Sequence, residues 1–459
     1  MEETRLRTLR EELSAQITVH AAACAPVRRM PAELLTAIFT YMTEAMDEFK
    51  IALVLEQGVS RVSQMWRYAA EGVAPAWTHV RVTTPSRSGR SLPSFPSVVR
   101  QQIHRHRACA PHLPLHLAAD LDDPTLFLSL RQLFPLMGEI PDAWQTVNLS
   151  FEGLDTSFQA DTHLPNVVAA SMECRHIRRS TDFRFLSCLP NLRTLDIVVS
   201  GHEHFGFWDQ DEIDLDPVNL MLPDFRSLAT LSLCSHPETD ILSEPLRETL
   251  DKYAATLEHL TLLCLGHMSL PAHLPSVILQ RLHTMHLQGA ACDCISNLSL
   301  PVLRELTMVD GDLTRVRSHP AHVLTHLVEL TLVRMKLDDD GIITQDITQL
   351  WDLTNNVKDL TVREDGKRQQ GRGAMNMRAI VLQLTQTKPP GEGGGPVSLP
   401  NLDSLTCLTD GHVLHGNCGA AFAGLIGVRG GISVVTDMDI ADLDAAMYRK
   451  VINSGGIVR

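Results

Sequence analysis

The stretches LRELTM at residues 303–308, LVELTL at 327–332 and VKDLTV at 357–362 share one pattern, with apolar residues at the first, fourth and sixth positions. The fourth position is Leu in seven of eight such hexads, and the fifth is Thr in five. This agreement between columns exceeds what a Leu-rich chain produces by chance. The eight hexads begin at Leu192, Leu228, Leu257, Leu282, Leu303, Leu327, Val357 and Leu402.

The spacing of the hexads indicates a repeat array. Successive hexads start 36, 29, 25, 21, 24, 30 and 45 residues apart. The middle of this series lies within the roughly 20 to 29 residues typical of leucine-rich repeats, and insertions on one side of a solenoid produce longer steps. We therefore predict an α/β fold in which residues 83–435 form an irregular leucine-rich-repeat solenoid. Its parallel β-sheet lines the concave face, and helices and loops lie outside.

Side chains that alternate with the buried positions of each strand face outward. The third and fifth hexad positions are expected to form two polar columns on the concave face. The residue that follows each hexad forms a third column, which is more apolar. Substrate-binding residues are predicted in the two polar columns: His259, Thr261, Thr284, His286, Glu305, Thr307, Glu329, Thr331, Asp359 and Thr361. A ladder of Thr residues also stabilises neighbouring strands, so the sequence leaves both roles open.

Two insertions and a tail complete the predicted array. The insertion near 202–216 contains Phe205, Phe207 and Trp208 without Lys or Arg, whereas KPPGEGGGP near 388–396 has the composition of a flexible loop. The segment 436–459 is expected to contain a helix at 440–452 that caps the core of the solenoid.

The N-terminal part has helical periodicity. Residues 1–24 carry Leu6, Leu9, Leu13 and Ile17 at helical spacing and predict an amphipathic leader helix. PAELLTAIF at 31–39 and VSRVSQMWRYAA at 59–70 predict two further short amphipathic helices, with Pro31 at the start of the first. Together with a short strand at 77–82, they predict an all-α domain over residues 25–82.

Composition excludes several classes of function. The chain of 459 residues has 40 Lys+Arg against 54 Asp+Glu and a net charge of −14, which disfavours a nucleic-acid partner because phosphate is held mainly by clustered Lys and Arg. The ten scattered Cys residues predict reduced, mostly buried thiols. With no signal peptide or membrane-spanning stretch, we expect a soluble intracellular protein, cytoplasmic or nuclear, without a membrane partner.

No known catalytic motif is present, so we expect no enzyme activity, no catalytic residues and no cofactor. The histidines His104, His106, His112 and His116 lack Cys or carboxylate partners at the spacing of metal sites, and we expect no metal. Cys292 and Cys294 are one residue apart, which is a poor spacing for a disulfide.

A family resemblance adds to this interpretation. PAELLxxIF at 31–39, VSRVSxxWR at 59–67 and WxxVxV at 77–82 resemble an F-box followed by leucine-rich-repeat-like segments, a combination abundant in mushroom-forming basidiomycete fungi. The resemblance implies a substrate receptor that binds the Skp adaptor and cullin core of a ubiquitin ligase and presents a protein substrate, whose identity the sequence does not specify.

By match of motif, the residues expected to pack in or against the adaptor groove are Pro31, Leu34, Leu35, Ile38, Phe39, Val62 and Trp66. Pro31, Leu35 and Phe39 are the more diagnostic, because Leu34, Ile38 and Trp66 also suit a domain core. Adaptor binding predicts that Pro31, Leu35 and Phe39 are exposed as one apolar patch, whereas the alternative below predicts that they are buried against the first repeats. The alternative hypothesis is a free-standing repeat scaffold whose F-box-like helices only cap the solenoid.

Overall fold

The computed structural model describes residues 2–24, 30–46, 51, 54–56, 58–83, 95–121, 127–151, 161–174, 183–200, 221–235, 243–264, 276–311, 324–335, 350–351, 354–364, 377–386, 398–408, 418–429 and 431–436. The structure is mixed α/β with a large parallel sheet of thirteen strands. The chain divides into two compact units, Met1–Leu149 and Ser150–Arg459, called here the N-terminal and C-terminal units. The predicted insertions near 202–216 and 388–396 and the predicted helix at 440–452 lie outside the described residues.

The N-terminal unit combines helices with short strands. Its α-helices are α1 (Glu2–Cys24), α2 (Ala32–Ala45), α3 (Gln64–Glu71), α4 (Phe95–Cys109) and α5 (Phe127–Met137), and its 3-10 helices are Val59–Arg61, Ala74–Trp77 and Pro141–Ala143. The strands are β1 (His79–Thr83), β2 (Leu115–Leu121) and β3 (Trp144–Phe151), of which β1 and β2 pair in parallel. Helices are thus present in the predicted leader segment and after Pro31, and a strand is present near residue 80.

The helix expected over 59–70 is broken in two. Ser63 adopts an extended conformation with φ −160°, and its hydroxyl accepts a hydrogen bond from the backbone N–H of Trp66 at 3.3 Å. Because the backbone of an N-capping residue is extended, a preceding helix cannot continue through it. The segment therefore consists of the 3-10 turn Val59–Arg61 followed by α3.

The helices of the N-terminal unit enclose one hydrophobic cluster. Trp77 is fully buried at its centre, and its indole N–H donates to the Ala70 carbonyl at 2.8 Å. The other buried members are Leu35, Phe39, Ile51, Leu55, Val59, Ala69, Ala70, Val73, Ala76 and Ala110. Ala110 follows α4, so the cluster extends beyond the predicted domain boundary at residue 82, and the compact unit continues to Leu149.

Most of the regular elements described in the C-terminal unit are parallel strands. They are β4 (Ala169–Cys174), β5 (Thr194–Val199), β6 (Thr230–Ser235), β7 (His259–Cys264), β8 (Val277–Ile278), β9 (Thr284–Gly289), β10 (Leu298–Ser299), β11 (Glu305–Val309), β12 (Glu329–Val333), β13 (Asp359–Arg363), β14 (Ser404–Leu408) and β15 (Ser433–Thr436). β8 pairs with β10 in a separate two-stranded sheet, and the others pair in chain order. Its α-helices are α6 (Ser243–Lys252), α7 (Met377–Leu384) and α8 (Cys418–Val428), and its 3-10 helices are Arg184–Cys188 and Ala290–Asn297.

Every hexad of the sequence contributes one strand, and equivalent positions are paired. Glu305 lies opposite Glu329, and Glu329 lies opposite Asp359. The apolar hexad positions are buried, as at Leu303 and Leu306, which are 0% and 1% exposed. The predicted parallel strands and their register are thus confirmed, and a sheet of this kind is compatible with a solenoid.

Candidate functional site

The first candidate surface is the exposed side of α2. Pro31 precedes this helix with φ −53°, which suits the fixed φ of proline. The side chains of Leu34, Ile38 and Tyr41 are 55%, 42% and 70% exposed. Because successive residues of an α-helix are about 100° apart, positions 34, 38 and 41 lie on one side of the axis. We call these three residues the α2 stripe.

Two of the predicted adaptor contacts are not on this surface. Leu35 and Phe39, at 1% and 2% exposure, lie in the hydrophobic cluster of the N-terminal unit. Leu35 and Phe39 therefore do not form one exposed apolar patch with Pro31, which was the arrangement expected for adaptor binding, because α2 has two apolar sides and they lie on the inner one. The helical geometry groups Leu35 and Phe39 with the partly buried Met42, so that this side packs inward.

Trp66 and Val62 support the helix rather than extend its exposed side. The Trp66 ring is half-buried and packs edge-on against Phe39, with ring centroids 5.6 Å apart. Val62 is also half-buried and lies between the 3-10 turn and α3. Trp66 packs against the hydrophobic cluster, so it is not part of a free surface.

Charged residues border the α2 stripe on one side. Glu33 and Glu44 are exposed, and helical geometry places both on the same flank of Leu34 and Tyr41. A second exposed aromatic, Tyr68 on α3, is 64% exposed, and its hydroxyl accepts a hydrogen bond from the Gln64 amide at 3.2 Å. The exposed apolar side of α2 therefore has an acidic flank.

Tyr41 is the member of the stripe that sequence reasoning missed. It lies seven residues after Leu34, two helical turns along the same side, and this spacing was visible in the sequence. The motif that carries the resemblance ends at Phe39, so Tyr41 lies just outside it.

The second candidate surface is the face of the sheet in the C-terminal unit that carries the predicted polar columns. All the predicted substrate-binding residues are exposed or half-buried, and the strand register aligns them into two columns. The first column contains His259, Thr284, Glu305, Glu329 and Asp359. The second contains Thr261, His286, Thr307, Thr331 and Thr361.

Three carboxylates stand side by side in the first column. Glu305, Glu329 and Asp359 are exposed on three adjacent strands, which are about 4.8 Å apart in a parallel sheet. The Thr284 hydroxyl donates to Glu305 Oε2 at 3.4 Å. Arg304 and Lys358, each of which precedes one of these carboxylates in the chain, are also exposed.

The second column is less polar than its residue types suggest. Thr307, Thr331 and Thr361 are opposite one another and half-buried, an arrangement in which they stabilise the sheet. Burial lowers the pKa of His286 on the neighbouring strand, so that its neutral form is favoured. The apolar third column, with half-buried Val309 and Val333, follows on the same face.

The carboxyl ends of β11 and β12 carry an ion pair that the sequence did not indicate. Arg334 donates to both carboxylate oxygens of Asp310 at 2.8 and 2.7 Å. Asp310 and Arg334 have left-handed backbone conformations, with φ 54° and 50°. The left-handed region costs conformational free energy for residues other than glycine. The bidentate ion pair is a strong, charge-assisted contact that acts in the opposite direction.

The histidines and cysteines are held by structural contacts. His104 Nε2 lies 3.2 Å from Glu139 Oε2, and His116 Nδ1 lies 2.9 Å from the Thr146 hydroxyl. Cys292 and Cys294 are buried thiols, and burial raises the pKa of the Cys188 thiol to about 12. Within the described part of the chain, no group of three or more His, Cys, Asp or Glu could hold a metal ion.

Among the helices of the described residues, none has the length and apolar composition needed to cross a membrane.

Comparison with known proteins gives no assignment: no protein-family model matches the chain, and no curated protein matches it significantly.

Proposed function

We propose that this protein is a non-catalytic substrate receptor of a cullin-RING ubiquitin ligase. The N-terminal unit binds the Skp adaptor through the α2 stripe, and the polar columns of the C-terminal unit bind a protein substrate. The proposal combines the F-box resemblance of residues 31–39, 59–67 and 77–82 with one structural observation, namely that Leu34, Ile38 and Tyr41 are exposed on one side of α2.

Three adjacent apolar side chains on a single helix suit a helix-in-groove contact. Such contacts use residues at i, i+4 and i+7, which is the spacing of the α2 stripe. The Tyr side chain contributes a large contact area at small entropic cost, and aromatic residues are enriched among those that dominate binding energy. Leu35 and Phe39 contribute indirectly, because they hold α2 against the hydrophobic cluster.

On the sheet, the acidic first column disfavours a substrate segment that is itself negatively charged. Glu305, Glu329 and Asp359 repel a phosphorylated segment, which is usually held by clustered Arg. As a receptor, the protein contributes to ubiquitin transfer by raising the effective concentration of the substrate near the ligase core.

The test is a pull-down of the full chain with purified Skp adaptor. The parent is compared with a Leu34→Asp/Ile38→Asp variant, which places two charges on the α2 stripe without entering the core. The control is Thr40→Asp, because Thr40 is exposed and about 120° around the helix from Leu34. We expect binding by the parent and the control, and a loss of at least tenfold in affinity for the double variant.

Circular dichroism of each variant establishes that the chain is folded. If the folded parent does not bind the adaptor, the receptor proposal fails and the free-standing scaffold becomes the better hypothesis. If the double variant binds as well as the parent, the adaptor contact lies elsewhere than on the α2 stripe.

A further inference from the structure

The imidazole of His106 occupies an unusual position in the N-terminal unit. The residue lies on α4 and is 1% exposed. Its ring packs edge-on against the buried Trp77 indole, with centroids 5.4 Å apart. Its Nδ1 lies 2.9 Å from the Trp77 carbonyl oxygen. Because a carbonyl oxygen only accepts, Nδ1 carries the proton and Nε2 is the unprotonated nitrogen of the neutral ring.

The second ring nitrogen is buried without a hydrogen-bond partner among the described residues. Protonation at Nε2 would place a charged N–H donor inside the hydrophobic cluster with no acceptor. A buried, unpaired charge costs considerably more than a buried neutral acceptor. The position therefore selects the neutral ring.

The charged groups around the ring do not remove this penalty. Burial is the largest influence and lowers the pKa of His106, while the Trp77 carbonyl and Glu56 act in the opposite direction. Arg105 on the same helix and His79 on β1 further disfavour the charged ring. Arg105 also engages Glu56 at 2.9 Å and Glu71 at 3.5 Å, so much of the negative charge nearby is already paired.

We propose that His106 is a proton-sensitive latch, which holds α4 against Trp77 at neutral pH and releases it in mild acid. Release of α4 opens the cluster that supports α2, so the N-terminal unit loosens as the pH falls. This goes beyond the proposed function, since it concerns the stability of the unit whatever it binds.

The pH range follows from the direction of the shift. A histidine with a lowered folded-state pKa contributes stability that is complete above the unfolded value of about 6.5. That contribution is lost progressively as the pH falls from there towards the folded value. In this window the uptake of one proton on opening increases the opening equilibrium about tenfold per pH unit.

The experiment is hydrogen exchange of the full chain at pH 7.5, 6.5 and 5.5, read in peptides from residues 64–83 and 95–110 and corrected for intrinsic exchange rates. The test variants are His106→Asn, which keeps a donor near the Trp77 carbonyl, and His106→Phe, which keeps the ring volume. The matched control is His112→Gln, because His112 is exposed.

For the parent and His112→Gln, we expect the opening equilibrium constant to rise about tenfold for each unit by which the pH falls below 6.5, and we expect both His106 variants to lose that dependence. Two variants with side chains of different size are used, so that the test still stands if one of them does not fold. The proposal is overturned if the His106 variants keep the parental pH dependence. It is also overturned if the dependence disappears in a His79→Asn variant and persists in His106→Asn.

Discussion

The helical cluster of the N-terminal unit and the sheet of the C-terminal unit bury similar apolar side chains in different ways. The cluster is a single unit around Trp77, which contacts Ala70 on α3 and both Arg105 and His106 on α4. The sheet is built from repeated layers, in which Leu306 and its neighbours occupy equivalent positions. Damage to the cluster should therefore affect the whole N-terminal unit, whereas damage to one layer should remain local.

The largest effect is expected for Trp77→Ala. The substitution removes a fully buried indole and the hydrogen bond that its N–H donates to the Ala70 carbonyl, and should cost about 3–5 kcal/mol in the unfolding free energy. Hydrogen exchange during urea unfolding should show loss of protection throughout α2, α3 and α4. Tyr68→Ala, which removes an exposed ring, is the control and should change stability by less than about 0.5 kcal/mol. A loss confined to residues next to Trp77 would contradict the view of a single cluster.

A smaller and more local effect is expected for Leu306→Ala. Leu306 is 1% exposed in β11, and its truncation should cost about 2–4 kcal/mol. Because each layer contacts mainly its neighbours, exchange protection should fall in β9, β11 and β12 and be retained in β5 and β6. The comparison variant Thr307→Ala alters the exposed face of the same strand. If Leu306→Ala reduced protection equally in all strands, the distinction between the two units would fail.

The smallest effect is expected at Gly311, beyond the end of β11. A Cβ there would lie 2.5 Å from Cys292 Sγ and 2.8 Å from Met335 Cε. Gly311→Ala should therefore cost about 1–3 kcal/mol through overpacking, measured as a lower midpoint of thermal unfolding. The double variant Gly311→Ala/Cys292→Ala removes the closest atom. Its loss of unfolding free energy should therefore be smaller than the sum of the losses in the two single variants. Strict additivity would show that the clash is relieved elsewhere.

Much of the C-terminal unit was predictable from the hexads. Their period of two residues assigns each side chain to one face of the strand, and a one-residue slip would turn Leu306 and Leu330 outward. The register therefore follows from burial alone. The strands β2, β4 and β15 lack the full pattern and were missed as repeats, although LHLAADL at 115–121 alternates as a half-buried strand should.

The candidate adaptor surface was only partly predictable. PAELLTAIF contains apolar residues on two sides of one helix, and hydrophobicity does not distinguish the side that packs inward. The choice depends on where α3 and Trp77 lie, and these contacts join residues far apart in the sequence. For the same reason, neither the buried position of His106 nor the Asp310–Arg334 pair could be inferred from local sequence.

The sequence by itself determined the parallel strands, their register and the composition of the exposed columns, because these depend on a short-range alternation repeated many times. Only the tertiary structure decided that Leu35 and Phe39 are buried while Leu34, Ile38 and Tyr41 are exposed. It also decided that Arg429 is buried, with its guanidinium donating to the carbonyls of Leu384 and Leu399. The physical reason is that the burial of a particular side chain is set by partners distant in the chain.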